Sequence, residues 1–308
     1  MSKPKLMMLV GLPASGKSTM SKQLQEIHNA VAHSSDKIRE EISGDRANQS
    51  INQEVFELLH KRVKEDLKAG KNVVYDACNI NWKRRKSFLS ELKVDCEKVC
   101  IFLATPHKDC VELNNSREKP IPTDVITRMY KNFYIPQSYE GWDLIQTVWN
   151  YDENKYDLSR LMEELCNFEQ DNIYHDLSVG AHCIDCAVRV GGRNPTLERA
   201  ALLHDIGKPF TKKFEDSKGN TTEMAHYYQH HLVSAYDSLF YPSPSLVNSI
   251  DTMEVAAYIT WHMHVYFLKE EKSIDKFVKI VGQEFWDDLL LLNAADKLAK
   301  KRRGQSEL

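Results

Sequence analysis

Eight residues near the start of the chain have the types and spacing of a phosphate-binding loop. They run Gly11-Leu12-Pro13-Ala14-Ser15-Gly16-Lys17-Ser18 and match the pattern G-x-x-x-x-G-K-[ST] in full. Glycines in such a loop let backbone N–H groups turn toward phosphate oxygens, and the following helix points its positive end at the same anion. We expect Lys17 to reach the β- and γ-phosphates and the Ser18 hydroxyl to ligate Mg²⁺. ATP and Mg²⁺ are the expected cofactors. The predicted nucleotide contacts are Gly11, Pro13, Ala14, Ser15, Gly16, Lys17, Ser18 and Thr19.

Three further residues of the same half could act on a phosphate acceptor. Asp36 and Arg39 are spaced i, i+3, which places both on one side of a helical turn. A carboxylate there could take a proton from an attacking hydroxyl while the cation holds the acceptor, or it could simply cap the helix start. Asp76 ends the apolar run Val73–Tyr75, the usual place for a carboxylate near Mg²⁺ and substrate.

Two groups of cations have less specific patterns. Arg117 precedes the proline-containing stretch Lys119–Pro122, so it is either an arginine on a mobile lid or an ordinary surface residue. The cluster Lys83–Lys86 has the composition of a solvated helix face.

The second half of the chain carries most of the twelve histidines. His204 and Asp205 are adjacent, and His182 lies 22 residues upstream, while Asp296 lies in a later apolar segment. Adjacent helical side chains diverge by about 100°, so His204 and Asp205 share a metal only if other helices supply the remaining ligands. Nitrogen and oxygen ligands of this kind suit Mn, Fe, Co, Ni, Mg or Zn.

The elements that must position these residues differ between the halves. Up to Trp149, short apolar runs alternate with helical patterns, which predicts an α/β domain with a parallel sheet covered by helices on both faces. Residues 153–172 are polar with one amphipathic piece at Leu158–Phe168, and we expect a connector there. Beyond it we see only helical patterns, among them one at Ala225–Leu239. The predicted organisation is a P-loop domain over 1–152 and an all-α domain over 173–308.

Composition fits two globular domains. The chain has 308 residues, 42% of them hydrophobic and 28% charged, and no apolar run long enough for a transmembrane helix. The apolar stretch near the start is too short for a signal-peptide core, and seven scattered cysteines fit a reducing compartment. We therefore expect a cytoplasmic protein with no membrane partner. Residues 1–150 hold 23 Lys/Arg against 19 Asp/Glu, and the remainder holds 18 against 25. We expect a polyanionic substrate to bind to the basic half.

The first half resembles the kinase domain of bacteriophage-type 5′-OH polynucleotide kinases. The resemblance rests on four motifs in order, GLPASGKST, SSDKIRE, YDACNINWKRR and NNSREKPIPTDVITRMYKNF, and covers about residues 5–150. It implies that Asp36 is the general base on a 5′-hydroxyl, that Arg39 contacts the phosphate of the acceptor, and that Arg117 is the lid arginine.

The second half resembles the HD phosphohydrolase superfamily over about residues 170–300. Its pattern H…HD…D is matched by His182, His204-Asp205 and Asp296. The resemblance implies one or two divalent metals such as Mn, Co, Ni, Fe or Zn, with His230 and His262 holding the second and Asp205 bridging the two. Lys208 would contact the phosphate and take part in catalysis, and His175 could touch substrate.

A kinase and an HD hydrolase on one chain resemble enzymes that heal nucleic-acid ends. One domain would phosphorylate a 5′-OH, and the other would remove a 2′,3′-cyclic or 2′/3′-terminal phosphate. Such an enzyme implies nucleic-acid ends, most naturally RNA, as substrate, and a separate RNA ligase acting downstream. Two alternatives stay open: a small-molecule kinase fused to a nucleotide phosphohydrolase, and an ATP-sensing binding module with an inactive HD domain.

Overall fold

The chain divides into two compact units. The computed structural model describes residues 3–192, 194–241 and 251–300. One unit contains the chain up to Met129 together with Pro136–Tyr151, and the other contains Tyr130–Ile135 together with the chain from Asp152 onward. The last residues of the predicted second domain, 301–308, lie outside the described residues.

The first unit is built on a five-stranded sheet in the order β2-β3-β1-β4-β5, and every neighbouring pair is parallel. The strands are β1 (Lys5–Val10), β2 (Val31–Ser34), β3 (Val73–Asp76), β4 (Glu97–Ala104) and β5 (Leu144–Trp149). Strand β1 is central and apolar because helices cover both of its faces. The predicted α/β class is confirmed.

Helices connect these strands. They are α1 (Lys17–His28), α2 (Ser35–Ser43), α3 (Asn52–Lys68), α4 (Trp82–Glu91), α5 (His107–Asn115) and α6 (Thr123–Lys131). Helix α3 buries Val55, Leu59, Val63 and Leu67, which recur every four residues along one face. The core beneath the sheet includes Met7, Leu9, Val74 and Ile101, with Leu24 of α1 packed against them.

The strand order determines which residues meet at the carboxyl edge of the sheet. Strands β1, β3 and β2 are neighbours, and Ser34 at the end of β2 is in register with Asp76 at the end of β3. The loop that follows β1 is tied to the segment after β3 by a hydrogen bond from the Gly11 N–H to the Cys78 carbonyl at 3.1 Å. The phosphate-binding loop, Asp76 and the start of α2 therefore emerge side by side.

The second unit is helical, as predicted. Its helices are α7 (Leu158–Cys166), α8 (Val179–Val190), α9 (Pro195–Leu203), α10 (Lys208–Thr211), α11 (His230–Ser238), α12 (Thr252–Trp261), α13 (Glu271–Val281) and α14 (Gln283–Leu298). Local sequence explains several helix starts: Ser178, Asn194 and Asp251 each accept hydrogen bonds from backbone N–H groups of the first turn. Cys183 and Cys186 are buried on α8.

The prediction of a helix over Ala225–Leu239 is wrong in its first part. Residues Lys213–Glu215 (β6) and Thr221–His226 (β7) form an antiparallel hairpin, and the helix begins only at His230. The strand is short and only Ala225 on it is fully buried, so its alternation was too weak to read from sequence. In the described residues, no helix is long and apolar enough to cross a bilayer.

Candidate active sites

The phosphate-binding loop closes around its own lysine. Ala14 and Gly16 adopt positive φ angles of 66° and 96°, which turn the backbone inward before α1 begins at Lys17. The Lys17 ammonium donates to the carbonyls of Gly11 at 3.0 Å and Leu12 at 2.6 Å. A Cβ on Gly11 would stand 2.6 Å from the Ser15 hydroxyl and 3.3 Å from the Leu103 carbonyl oxygen, so a side chain there would displace Ser15 from its place in the loop.

The loop fits the triphosphate of ATP. The Ser15 hydroxyl is buried and has no hydrogen-bond partner among the described residues, so the loop holds a polar atom that a phosphate could satisfy. Ser18 lies in the first turn of α1, where its hydroxyl is available to a Mg²⁺ ion, and Thr19 follows it. The predicted nucleotide contacts thus come from one loop and one helix terminus.

Asp36 and Arg39 form an ion pair on α2. Nη1 of Arg39 donates to Oδ1 of Asp36 at 2.9 Å; the arginine side chain is 5% exposed and the carboxylate 71% exposed. Nη2 of Arg39 donates to Asn52 at 2.8 Å, and its Nε is buried without a partner among the described residues. Ser34, rather than Asp36, occupies the N-cap of the helix. A rigid buried cation thus holds an open carboxylate.

Asp76 faces the same edge of the sheet. Burial raises the pKa of its carboxyl, and the charge of Lys17 acts in the opposite direction. The repulsive influence of Asp36 on the same group indicates that all three charges share one environment. This half of the site therefore combines a phosphate loop, an acid and an acid–arginine pair.

Arg117 lies on an exposed loop after α5, and the structure does not bring it into contact with the phosphate-binding loop among the described residues. The base of this loop is closed by Asn114, which sequence reasoning missed. The buried Asn114 amide donates to the Ile121 carbonyl at 2.8 Å and accepts from the Ile121 N–H at 3.0 Å. The two bonds join the ends of the segment that carries Arg117.

The expectation of a solvated face for Lys83–Lys86 is wrong for one member. The Arg85 guanidinium is buried and makes two hydrogen bonds of 2.6 Å with the buried carboxylate of Glu140. Its Nη1 also donates to the Asn79 carbonyl at 2.7 Å. Bidentate pairing satisfies both charges, which explains how a basic cluster can contribute a residue to the core.

In the second unit the predicted metal ligands converge. Nε2 of His182 lies 3.2 Å from Nε2 of His204, 3.3 Å from Oδ2 of Asp205 and 3.2 Å from Oδ1 of Asp296. These residues come from α8, the end of α9 and α14, so three helices supply one cluster. All four side chains are buried.

A second cluster shares Asp205 with the first. Oδ1 of Asp205 lies 3.1 Å from Nε2 of His230, and that nitrogen lies 3.3 Å from Nε2 of His262. Two groups could hold an ion, one of His182, His204 and Asp205 and one of Asp205, His230 and His262. The two oxygens of Asp205 face different groups, which is the geometry of a bridging ligand.

Backbone carbonyls fix the tautomers of the four histidines. Nδ1 of each ring contacts a carbonyl oxygen: Ala299 for His182 at 3.1 Å, Ala201 for His204 at 2.7 Å, Tyr227 for His230 at 2.8 Å and Ile259 for His262 at 2.7 Å. A carbonyl can only accept, so Nδ1 carries the hydrogen and the lone pair of a neutral ring lies on Nε2. In each cluster the Nε2 lone pairs of two histidines therefore lie close to a carboxylate, and such a set of ligands suits a divalent cation.

The buried carboxylates and histidines of the two clusters shift one another's pKa values. Burial disfavours a charge on His182, but its hydrogen bonds to Asp205 and Asp296 outweigh this and raise its pKa to about 9. Burial and the neighbouring His204 and His230 hold the pKa of His262 well below its usual value. The first cluster is thus richer in negative charge than the second.

Lys208 and His175 flank the first cluster. The buried Lys208 ammonium lies 2.6 Å from Oδ2 of Asp205 and donates to the Gln170 side chain at 2.7 Å. The His175 ring lies 5.3 Å from that of His182, and its buried Nδ1 has no partner among the described residues. Burial and the charge of Lys208 lower the pKa of His175 to about 3.

Two contributors to this site were missed from sequence. Gln170 falls inside the predicted connector, yet its side chain is buried and bonds both Lys208 and the Leu177 carbonyl. Tyr266 follows His262 by four residues and donates to Oδ2 of Asp296. Neither residue type is diagnostic of a metal site, and the only signal was proximity in sequence to a predicted ligand or site residue.

Family models match both units. Residues 6–136 match the model described as an AAA domain, and residues 172–300 match the HD domain. The chain is therefore a fusion of a kinase-like P-loop domain and an HD domain.

Two curated proteins are similar to part of the chain. L-seryl-tRNA(Sec) kinase of Methanococcus maripaludis is 29% identical over 173 residues, which is 54% of this chain and 66% of that protein. Protein kti12 of Schizosaccharomyces pombe is 27% identical over 152 residues, 45% of this chain and 54% of that protein. The chain spans about two thirds and about half of the lengths of these relatives.

Two solved structures are similar to part of the chain at low similarity. The Pnkp1/Rnl/Hen1 RNA repair complex matches with a TM-score of 0.39 and 24% identity over 42% of this chain and 43% of that one. A gluconokinase from Sinorhizobium meliloti matches with a TM-score of 0.37 and 15% identity over 49% of this chain and 86% of that one.

Proposed function

We propose that the protein heals nucleic-acid ends, with the P-loop unit phosphorylating a 5′-hydroxyl and the HD unit removing a 2′,3′-cyclic or 2′/3′-terminal phosphate. The observation that supports the proposal is that one chain carries candidate residues for both reactions. An open carboxylate paired with a buried arginine stands at the sheet edge that holds the phosphate loop, and Asp205 is shared by two histidine groups.

In the kinase reaction, Asp36 takes the proton from the 5′-hydroxyl as its oxygen attacks the γ-phosphorus of ATP, the bond from that phosphorus to the β,γ-bridging oxygen breaks, and ADP leaves. Arg39 keeps the carboxylate in place and contacts the acceptor phosphate. Lys17 binds the β- and γ-phosphates, and Arg117 closes over them. Ser18 and Asp76 would hold Mg²⁺, directly or through its water shell. Mg²⁺, when bound, neutralises charge on the phosphates.

In the phosphatase reaction, His182, His204, Asp205 and Asp296 would hold one divalent ion, and His230, His262 and Asp205 would hold a second. The ions, when bound, lower the pKa of a water nucleophile and polarise the phosphate. Lys208 contacts the phosphate oxygens, and His175 contacts the substrate. Gln170 holds Lys208 at the edge of the cluster.

RNA is the proposed substrate class. The basic excess of the first 150 residues suits a polyanion, and one relative is named as a kinase of an RNA-linked serine. The products, a 5′-phosphate and a free 3′-OH, are those a ligase joins, so a separate RNA ligase is the proposed partner. Formation of a 5′-phosphate alone would not require the phosphatase activity proposed for the second unit.

One incubation tests the proposal. An RNA with a 5′-OH and a 2′,3′-cyclic phosphate is treated with protein, ATP and Mn²⁺, and both termini are analysed. Wild-type protein should produce a 5′-phosphate and a dephosphorylated 3′ end. Asp36→Ala should fail to produce the 5′-phosphate, and Asp205→Ala should fail to dephosphorylate the 3′ end. Phosphorylation of nucleosides or sugars with untouched oligonucleotides would instead indicate a small-molecule kinase, and no turnover by either unit would indicate a binding module.

A further inference from the structure

An exposed tyrosine lies two residues before a proposed metal ligand. Strand β7 ends at His226, and the chain continues through Tyr227, Tyr228 and Gln229 to His230. Tyr228 is 45% exposed, whereas His230 is buried in the second cluster. Two residues of chain span about 7 Å at most, so the Tyr228 backbone stands within one nucleotide's reach of that cluster.

The backbone on either side of Tyr228 is fixed. The Tyr227 carbonyl accepts from both the backbone N–H and Nδ1 of His230, and its phenol donates to the Gln170 carbonyl. The Tyr227 ring also packs under the Lys208 ammonium, 5.4 Å from the ring centre. Gln229 is held in the left-handed conformation with φ 66°. Tyr227 thus contacts Lys208 beside the first cluster, the Gln229 side chain donates to the Asn132 side chain at 2.6 Å, and the Tyr228 side chain is exposed.

The Tyr228 ring lies parallel to the ring of His226. The two rings are parallel within 3°, with centroids 5.5 Å apart, and Nδ1 of His226 lies 3.4 Å from the Tyr228 hydroxyl. An exposed ring that is already oriented loses little side-chain entropy when a flat ligand stacks on it. Aromatic rings presented in this way accept nucleobases of any sequence because every base has a π-face.

A second segment borders the same strand. The Ala225 N–H donates to the Asp171 carbonyl at 2.9 Å, and the Asn172 amide donates to the Ala225 carbonyl at 3.1 Å. This segment leads to Tyr174, which is 63% exposed, and to His175 beside the first cluster. An exposed tyrosine thus lies on each of these two segments.

We infer that Tyr228, backed by His226, is a stacking platform for the nucleobase that adjoins the scissile phosphate. The inference rests on the proposed phosphatase function and adds what the enzyme recognises besides phosphate: the terminal base of a nucleic acid, without sequence preference. The phosphate lies at the clusters and Lys208, and the base of the same nucleotide lies on Tyr228.

The test compares two RNA oligonucleotides that end in a 3′-phosphate, one with a normal terminal nucleotide and one with an abasic terminal nucleotide. Dissociation constants are measured by fluorescence anisotropy with Mn²⁺-loaded protein, and KM is measured by phosphate release. Wild-type protein should prefer the normal end. Tyr228→Ala should weaken binding of that end by about 5- to 100-fold and leave the abasic end unchanged. Tyr228→Phe, which keeps the ring, should retain most of the preference.

Phe214→Ala is the matched control, since Phe214 lies on the same hairpin and is 44% exposed but contacts Lys212. It should leave both dissociation constants unchanged. Equal binding of the two ends by wild-type protein, or an equal loss for both ends in Tyr228→Ala, would overturn the inference. A preference for the normal end without phosphate release would refute the phosphatase function but would still support base stacking on Tyr228.

Discussion

The phenol of Tyr266 donates a hydrogen bond of 2.7 Å to Oδ2 of Asp296, while Oδ1 of the same carboxylate faces His182 at 3.2 Å. The Lys300 ammonium in turn lies 3.3 Å from the Tyr266 hydroxyl. One oxygen of Asp296 is thus occupied by the protein and the other points into the first cluster. Tyr266 is therefore a positioning residue that orients the Asp296 carboxylate so that Oδ1 points into the first cluster.

Tyr266→Phe should therefore weaken metal binding at the first cluster by about 10- to 100-fold, the usual cost of losing a partner of a metal ligand. Competition titration with a chromogenic chelator measures this independently of activity. Tyr258→Phe is the matched control, because Tyr258 donates an equivalent 2.7 Å bond to Asp288 away from the clusters. Equal affinities in wild type and Tyr266→Phe would show that Asp296 is oriented by packing alone.

The sharing of Asp205 predicts an order of metal content. Wild-type protein should contain about two ions, His262→Ala about one, and Asp205→Ala nearly none, because Asp205 faces both groups. Elemental analysis of the purified variants gives the ratio directly. Phosphatase activity should be lost in both variants and kinase activity kept. Full phosphatase activity in His262→Ala with a single ion in wild type would establish a mononuclear site.

Kinase activity should depend on Asp36 far more than on neighbouring acids. Asp36→Ala should lower kcat by about 10²- to 10⁴-fold, the range for loss of a general base. Lys17→Ala should abolish turnover because phosphate binding is lost. Glu40→Ala is the control, since Glu40 lies on the same helix but pairs with Arg46 on the surface. Transfer of ³²P from ATP to a 5′-OH oligonucleotide is the measurement, and near wild-type transfer by Asp36→Ala would remove Asp36 from the mechanism.

The pair of Tyr130 and Asp237 predicts a pH-dependent stability. Burial raises the pKa of Asp237 to about 7, although the 2.5 Å hydrogen bond from Tyr130 acts against this. A raised folded-state pKa means that stability is greatest below the unfolded pKa near 4 and falls as pH rises toward 7. Asp237→Asn removes the titration and keeps an acceptor for Tyr130.

The difference in melting temperature between Asp237→Asn and wild type should therefore grow in favour of the variant from pH 4 to pH 7 and then stay constant. The full effect is on the order of a few kcal/mol. Thermal unfolding in matched buffers at fixed metal concentration checks this, because other titrating groups cancel in the difference. A difference independent of pH would mean that Asp237 is ionised throughout.

A fragment of residues 1–152 should bind ATP, since the phosphate loop and the five-stranded sheet lie within it. The same fragment carries Tyr130 and Phe133, which belong to the second unit and whose rings pack 5.4 and 4.9 Å from the ring of Tyr236. Both rings lose that partner in the fragment, so we expect binding of a hydrophobic dye and reduced solubility. A soluble fragment that fails to bind nucleotide would refute the independence of the first unit.

Sequence reasoning was most successful where the pattern is local. The phosphate loop is a contiguous motif, and the helix over Val179–Val190 has an unbroken apolar period, so both could be read directly. The partners of these residues come from distant parts of the chain. Gln170 beside Lys208 and Glu140 beside Arg85 are separated by 38 and 55 residues, and no local pattern connects them. The basic residues around Arg85 predict an exposed side chain, but its pairing with Glu140 places it in the core.

The two hydrogen bonds between Asn114 and Ile121 affect how easily the loop between them can change in length during evolution. They fix the ends of the exposed loop between α5 and α6, so the length of chain between those ends hardly affects the rest of the unit. Doubling a loop costs only about 0.6 kcal/mol in closure entropy. Insertions there would be tolerated through evolution, and each would bring new side chains to the segment that carries Arg117. The side chains that accompany Arg117 could therefore change from one lineage to the next while the sheet and the phosphate loop are inherited intact.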